Sequence, residues 1–157
     1  MRPDPAACHY LVTARLARAP APDLTGCMEI IQEVLVSLRG DAVIEAMVVL
    51  PDHLHCLWRQ ACGREAPHGL WARALAGIAS RAPGCDWVLP PVVEALPPAA
   101  DLRAWLDRIH GDPVRHGLCA QAREWPWSSF YRYSAVGYYP PEWPAGAGEP
   151  WQGASSR

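Results

Sequence analysis

Residues 42–58 read AVIEAMVVLPDHLHCLW, and the fold turns on how this stretch is divided. Ala42 to Leu50 is apolar on both alternating faces apart from Glu45, as expected of a central strand covered on both sides. Pro51-Asp52 is a turn signal. His53 to Trp58 then reads as a second strand, close enough to pair with the first as a hairpin. Side chains i and i+2 of a strand share a face, so His53 and His55 project together, about 7 Å apart at the backbone. Leu54 and Cys56 point the other way, into apolar surroundings. Two imidazoles on one face can converge on a divalent ion, but such an ion needs a third ligand, and ordinary strand histidines produce the same pattern.

Working outward, His9 to Leu16 is rich in β-branched and aromatic residues and reads as a first strand. Leu24, Met28, Ile31, Leu35 and Leu38 form one helical stripe, stopped by Gly40. Gly69 to Ser80 carries a second such face in Trp71, Ala74, Leu75 and Ile78. The proline-punctuated stretch that follows leaves room for an edge strand between Trp87 and Leu96. Asp101 is placed as the N-cap of a third helix bearing Leu102, Trp105, Leu106 and Ile109, with Gly111 its stop and Asp112-Pro113 the cap of a short continuation. The order β-α-β-β-α-β-α predicts an α+β domain, an antiparallel sheet with helices packed on one face. The expected domain spans residues 1–144, followed by a flexible tail over 145–157.

Composition narrows the function. The 157 residues suit one domain. No apolar run reaches the roughly 20 residues of a membrane span, and Met1 to Pro5 opens onto no secretory signal. A cytoplasmic protein with no membrane partner is expected. All 14 basic residues are arginine and the net charge is -2, so a nucleic-acid site must be a local basic patch. Six cysteines lack any C-x-x-C spacing and are expected to be reduced, buried small hydrophobes.

Three blocks carry a resemblance. The run Val48 to Trp58 (VVLPDHLHCLW) is similar to the histidine motif of the HUH single-tyrosine transposases, and within them most resembles the REP-associated tyrosine transposases. Asp112 to Leu118 (DPVRHGL) is similar to their Asn-Pro-Val-basic-x-Gly segment. Trp125 to Phe130 (WPWSSF) is similar to their Trp-Pro-aromatic-Ser-Ser/Thr-aromatic run. Order and spacing also match, so the resemblance covers roughly residues 8 to 144.

The resemblance implies a ferredoxin-like fold with the histidines on a central strand, and an enzyme that cuts and rejoins single-stranded DNA at hairpin-forming repeats. A divalent metal polarises the scissile phosphate while a helix tyrosine attacks phosphorus, storing the bond energy in a 5′-phosphotyrosyl link. Carried over, the metal ligands are His53, His55 and Asp112, the last in place of the family's Asn, with Mg²⁺ or Mn²⁺ the natural ion. A helix N-cap is the competing role for Asp112.

The family's tyrosine falls four residues before Asp112, at Arg108, and a guanidinium cannot act as a nucleophile. His110, Tyr131 and Tyr133 are the substitutes to weigh; the leading expectation is a copy that no longer cleaves. Arg115, Arg123 and Arg132 are the expected phosphate contacts. Trp125 and Trp127 either stack on bases or cover the sheet. The expected partner is a single-stranded DNA hairpin. The rivals are a remnant or regulatory nucleic-acid-binding protein without metal-dependent activity, and a small metal-dependent hydrolase lacking an obvious base. The oligomeric state is left open.

Overall fold

The hairpin at Pro51 forms as the sequence predicts. In the computed structural model, which describes residues 7–17, 22–63 and 67–143, strand β2 (Val43–Val49) pairs antiparallel with β3 (His53–Ala61). The turn closes with Leu50 N–H donating to the His53 carbonyl at 2.8 Å. Strand β1 (Ala7–Arg15) lies antiparallel on the other side of β3, and a short β4 (Val92–Ala95) adds to β1. The sheet order is therefore β2-β3-β1-β4, with the histidine strand inside. The proline-rich stretch supplies the edge strand, where a missing N–H costs no ladder bond. The expected tail over 145–157 lies outside the described residues.

Alternation along β3 decides what covers each face. Leu54, Cys56 and Trp58 point to one side, where α1 (Met28–Val36) and α2 (Pro67–Arg81) bury Ile31, Leu35, Trp71, Leu75 and Ile78 against them. The rings of Trp58 and Trp71 pack 5.3 Å apart. His53, His55 and Leu57 point to the other side, which is not left open. There α3 (Leu102–Arg115) sets Leu106 and Ile109 against Leu11, Ala46, Val48 and Leu57. The expected antiparallel α+β sheet is present, but its helices occupy both faces, because β1, β2 and β3 together present buried apolar side chains on both.

One boundary of α3 holds and the other shifts. Asp101 does cap α3, accepting from the Arg103 and Ala104 N–H groups. Gly111 does not stop the helix, which runs on through Pro113 to Arg115. Ile109 to Pro113 are all buried, between the sheet on one side and the segment after α3 on the other, and that packing outweighs the glycine's intrinsic cost of about 1 kcal/mol. The true stop is Gly117, at φ +71°, where the Leu118 N–H returns to the Pro113 carbonyl. Asp112 is thus a residue inside the helix, and the N-cap role is excluded.

Strand β2 is at the sheet edge, not central as its apolar pattern suggests. Its outer side is covered by the Trp125 to Phe130 block, which runs alongside it. The Val49 N–H donates to the Trp127 carbonyl, and the Ser129 N–H donates to the Met47 carbonyl, each at 2.9 Å. The Met47 N–H donates to Ser129 Oγ at 2.9 Å. A short helix α4 (Phe130–Ala135) follows. Behind it His110, fully buried on α3, places its ring nitrogens 2.7 Å from Ser129 Oγ and 3.0 Å from the Tyr139 hydroxyl. Burial, helped by the Arg132 charge, lowers the His110 pKa to about 3.

Cysteine is the plain correction. Cys8 and Cys62 form a disulfide that ties the start of β1 to the end of β3, while Cys27, Cys56, Cys85 and Cys119 are free. The partners are 54 residues apart in sequence and meet only because β1 and β3 pair. No local spacing announces them. Closing a loop of that length is worth about 2–4 kcal/mol, so denaturant unfolding with and without a thiol reductant should show a loss of that size, and Cys8→Ser should abolish the difference.

His110 yields a pH prediction. Its folded pKa lies below the unfolded value near 6.5, so below pH ~6.5 the unfolded chain takes up a proton that the folded chain refuses. Stability should fall toward pH 3 by up to about 1.4 kcal/mol per pH unit from this group alone. Urea midpoints across that range should fall less steeply in His110→Gln.

Candidate metal centre

The hairpin turn and the β1–β3 pairing aim both imidazoles. Asp52, in the turn, holds His53 Nδ1 at 2.6 Å. Thr13 lies directly across from His55 in the strand pairing, and its hydroxyl is 2.9 Å from His55 Nδ1. With both Nδ1 atoms held from behind, both Nε2 atoms face α3. There Asp112 presents Oδ2 at 3.2 Å from His55 Nε2 and 3.8 Å from His53 Nε2. The donor atoms of the three residues all lie within 4.8 Å of one another. Outer partners that fix ring orientation in this way are the usual support of metal-binding histidines.

Electrostatics fits a cation between them. His53 is only 3 % exposed and Asp112 is fully buried. Both His53 Nε2 and Asp112 Oδ2 are buried without a hydrogen-bond partner among the described residues. Two such atoms facing each other at 3.8 Å are too far apart to bond and well placed to share an ion. Burial would raise the Asp112 pKa, but His53, His55 and the Arg115 charge outweigh it and hold the carboxyl well below the usual range. Burial likewise opposes charge on His53, yet Asp112 and Asp52 together push its pKa up. For His55 burial wins, with the His53 and Arg108 charges adding to it, and its pKa falls. A buried carboxylate with two imidazole nitrogens suits a divalent cation, whose charge would meet both orphaned atoms.

Arg108 stands one helical turn before Asp112, half-buried, with its guanidinium 5.3 Å from the Trp105 ring centroid. Its charge reaches His55. All five tyrosines are occupied elsewhere. Tyr10 packs on the α1/α2 face. The Tyr131 hydroxyl donates to the Arg123 carbonyl at 2.5 Å, and that of Tyr133 to the Glu45 carbonyl at 2.6 Å. Tyr138 lies under Arg103, and Tyr139 contacts His110. The third candidate substitute, His110, is held behind α3 by Ser129 and Tyr139.

The other arginines and tryptophans divide. Arg115 sits at the centre, its guanidinium paired with Asp112 Oδ1. Arg132 instead donates to the Glu45 carbonyl at 2.7 Å and lies over Tyr133, and Arg123 is exposed on a short turn of helix beyond α3. Trp125 is 9 % exposed and donates its indole N–H to the Val49 carbonyl at 2.9 Å. Its rings are committed to the core beneath β2, the sheet-covering one of the two roles the sequence left open. Trp127 is half-buried against it, ring centroids 5.1 Å apart.

Four residues at the centre were absent from the sequence reading as site residues: Thr13, Arg15, Asp52 and His116. Arg15 pairs in register with His53, and its charge reaches both His53 and Asp52. His116 faces the His53 ring at 5.2 Å between centroids. Its spacing of four from Asp112 on one helix was the available signal.

A histidine pair on an inner strand, facing a carboxylate from the helix packed over it, is the arrangement that the resemblance to the HUH transposases implies. No family profile matches the chain. It is 30 % identical over 138 residues to the REP-associated tyrosine transposase of Escherichia coli K12, covering 85 % of this chain and 83 % of the relative. A putative REP-associated tyrosine transposase of Haemophilus influenzae is 42 % identical over 43 residues, 27 % of this chain and 24 % of the relative. The solved structure of a REP-associated tyrosine transposase bound to a REP hairpin matches with TM-score 0.80 and 26 % identity, covering 100 % of this chain and 96 % of that one. The chain belongs to the family of REP-associated tyrosine transposases.

The burial of Trp125 carries its own expectation. Trp125→Ala should cost roughly 3–5 kcal/mol in denaturant unfolding, whereas a base-stacking residue on the surface would change stability by no more than about 0.5 kcal/mol.

Proposed function

We propose that this chain is a cytoplasmic protein that binds a single-stranded DNA hairpin of the REP type on the α3 side of its sheet, with a divalent ion held by His53, His55 and Asp112, and that it does not cleave the strand through a tyrosyl intermediate. The observation that carries this reading is Arg108. It stands one turn before Asp112, where the family's nucleophile falls, and no tyrosine takes its place.

When bound, the ion would supply charge to polarise a phosphate oxygen. The chain's own residues do the rest. Asp52 and Thr13 fix the imidazoles, so the donor set is organised before DNA arrives. Arg15, Arg108 and Arg115 ring the centre with positive charge in a chain whose net charge is -2, giving a backbone phosphate a local rather than long-range attraction. Arg108 has no ion pair with a described residue, and its guanidinium is free to grip a phosphate at the position where a phenol would attack it. Binding is kept and transesterification lost. Arg123, Arg132 and Trp127 are assigned to the flanks of the hairpin. No helix among the described residues is long and apolar enough to cross a membrane, in keeping with this setting.

A labelled single-stranded hairpin incubated with Mg²⁺ or Mn²⁺ tests the reading. The unaltered chain should shift the hairpin on a gel and leave no covalent adduct, and Arg108→Tyr should gain one. An adduct from the unaltered chain overturns the reading and directs attention to Tyr131 or Tyr133. Absence of any shift favours a remnant without nucleic-acid function.

The contact assignment is tested by salt. Arg115→Ala should weaken hairpin binding uniformly across sequences and reduce the slope of log affinity against log salt by about one. An unchanged steep slope would place the phosphate contacts elsewhere.

A further inference from the structure

We propose that His116 is a fourth protein ligand of the metal centre, making it a three-imidazole, one-carboxylate site selective for Zn²⁺, Co²⁺ or Ni²⁺ over Mg²⁺. The inference rests on the metal reading above and deepens it.

The geometry comes from the end of α3. Gly117 takes φ +71° and ends the helix immediately after His116. The His116 N–H still donates to the Asp112 carbonyl at 2.9 Å, so His116 stays in the last turn, over Asp112. Its Nε2 lies 3.6 Å from Asp112 Oδ1, and its ring meets that of His53 at 5.2 Å and 68°. Ligand atoms around a tetrahedral ion with bonds of about 2.0–2.1 Å are separated by about 3.3 Å. About Oδ2 the separations of 3.2 Å for His55 and 3.8 Å for His53 scatter around that edge length, whereas His116 Nε2 stands 3.6 Å from the other oxygen and outside the group of three whose donor atoms lie within 4.8 Å of one another, so its ring must turn to complete the set. His116 approaches through Oδ1, the oxygen that Arg115 also contacts, while the strand histidines face Oδ2. The ring is 45 % exposed, so it can rotate toward a bound ion without disturbing the core.

Two imidazoles and a carboxylate leave the choice of ion open between hard and borderline cations. A third imidazole tips it. Imidazole nitrogen suits zinc, cobalt and nickel, whereas Mg²⁺ prefers an octahedron of oxygens and retains its water. The two orphaned buried atoms, His53 Nε2 and Asp112 Oδ2, make the centre one that gains from any cation. His116 decides which.

The test is metal binding in the absence of DNA. The purified full chain is titrated with Zn²⁺, Co²⁺ and Mg²⁺ against a competing chelator, and the zinc form is examined by X-ray absorption to count imidazoles. His116→Ala, His116→Gln and His53→Ala are run in parallel, with circular dichroism to verify folding. The unaltered chain should bind one Zn²⁺ through three imidazoles and bind Mg²⁺ far more weakly. His116→Ala and His116→Gln should each show two imidazoles, with zinc affinity down roughly tenfold to a hundredfold. His53→Ala, as the control for binding at free cysteines, should lose the site. Two imidazoles in the unaltered protein, or equal zinc affinity with and without His116, overturns the inference and leaves the three-ligand centre standing. If the folded chain binds none of the three ions, the metal reading falls and this inference with it.

Discussion

A buried carboxylate constrains the rest of this molecule. Asp112 has no exposure to water, and isolating a carboxylate in this way costs several kcal/mol unless positive or donor groups surround it. The strand imidazoles on one side and Arg115 on the other meet that demand. For them to do so, α3 must cross the histidine face of the sheet and stay helical through Gly111 and Pro113, two residues that otherwise end helices. The packing of Leu106 and Ile109 on Leu11, Ala46, Val48 and Leu57 holds the helix there. Stability and site geometry are therefore one problem in this fold, since the contacts that bury α3 are those that aim Asp112.

The Trp-Pro-Trp-Ser-Ser-Phe block does a related job at the sheet edge. An apolar β2 with open N–H and C=O groups would be an adhesive edge. The extended segment satisfies these groups through Trp127 and Ser129, and Trp125 fills the space beneath. Ser129 also contacts His110 on α3, so the edge cover and the helix that carries Asp112 are joined through one buried imidazole. The aromatic richness of this region is explained by packing before any contact with nucleic acid is invoked.

Charge placement separates binding from chemistry. The chain is slightly acidic overall, yet Arg15, Arg108 and Arg115 come from two elements, β1 and α3, to surround one small centre. A guanidinium at position 108 is permanently protonated and has no electron pair to offer phosphorus, so under the proposed function it can attract a phosphate but not attack one. In the proposed function, this one position is what would turn a transesterification site into a docking site.

Sequence alone determined the features set by local chemistry. Strand alternation put His53 and His55 on one face, apolar periodicity placed the helices, and Asp101 marked the start of α3. These follow from spacing along one chain, where the backbone's own period is the ruler. Tertiary structure decided whatever required a partner distant in sequence. Cys8 met Cys62 because β1 lies beside β3. Gly111 stayed helical because its neighbours are buried. β2 kept an apolar pattern at the edge because a segment about 80 residues later covers it. Thr13, Arg15 and His116 joined the centre because pairing register and a helix terminus brought them there, and no periodicity within any single element encodes what the opposite element will place against it.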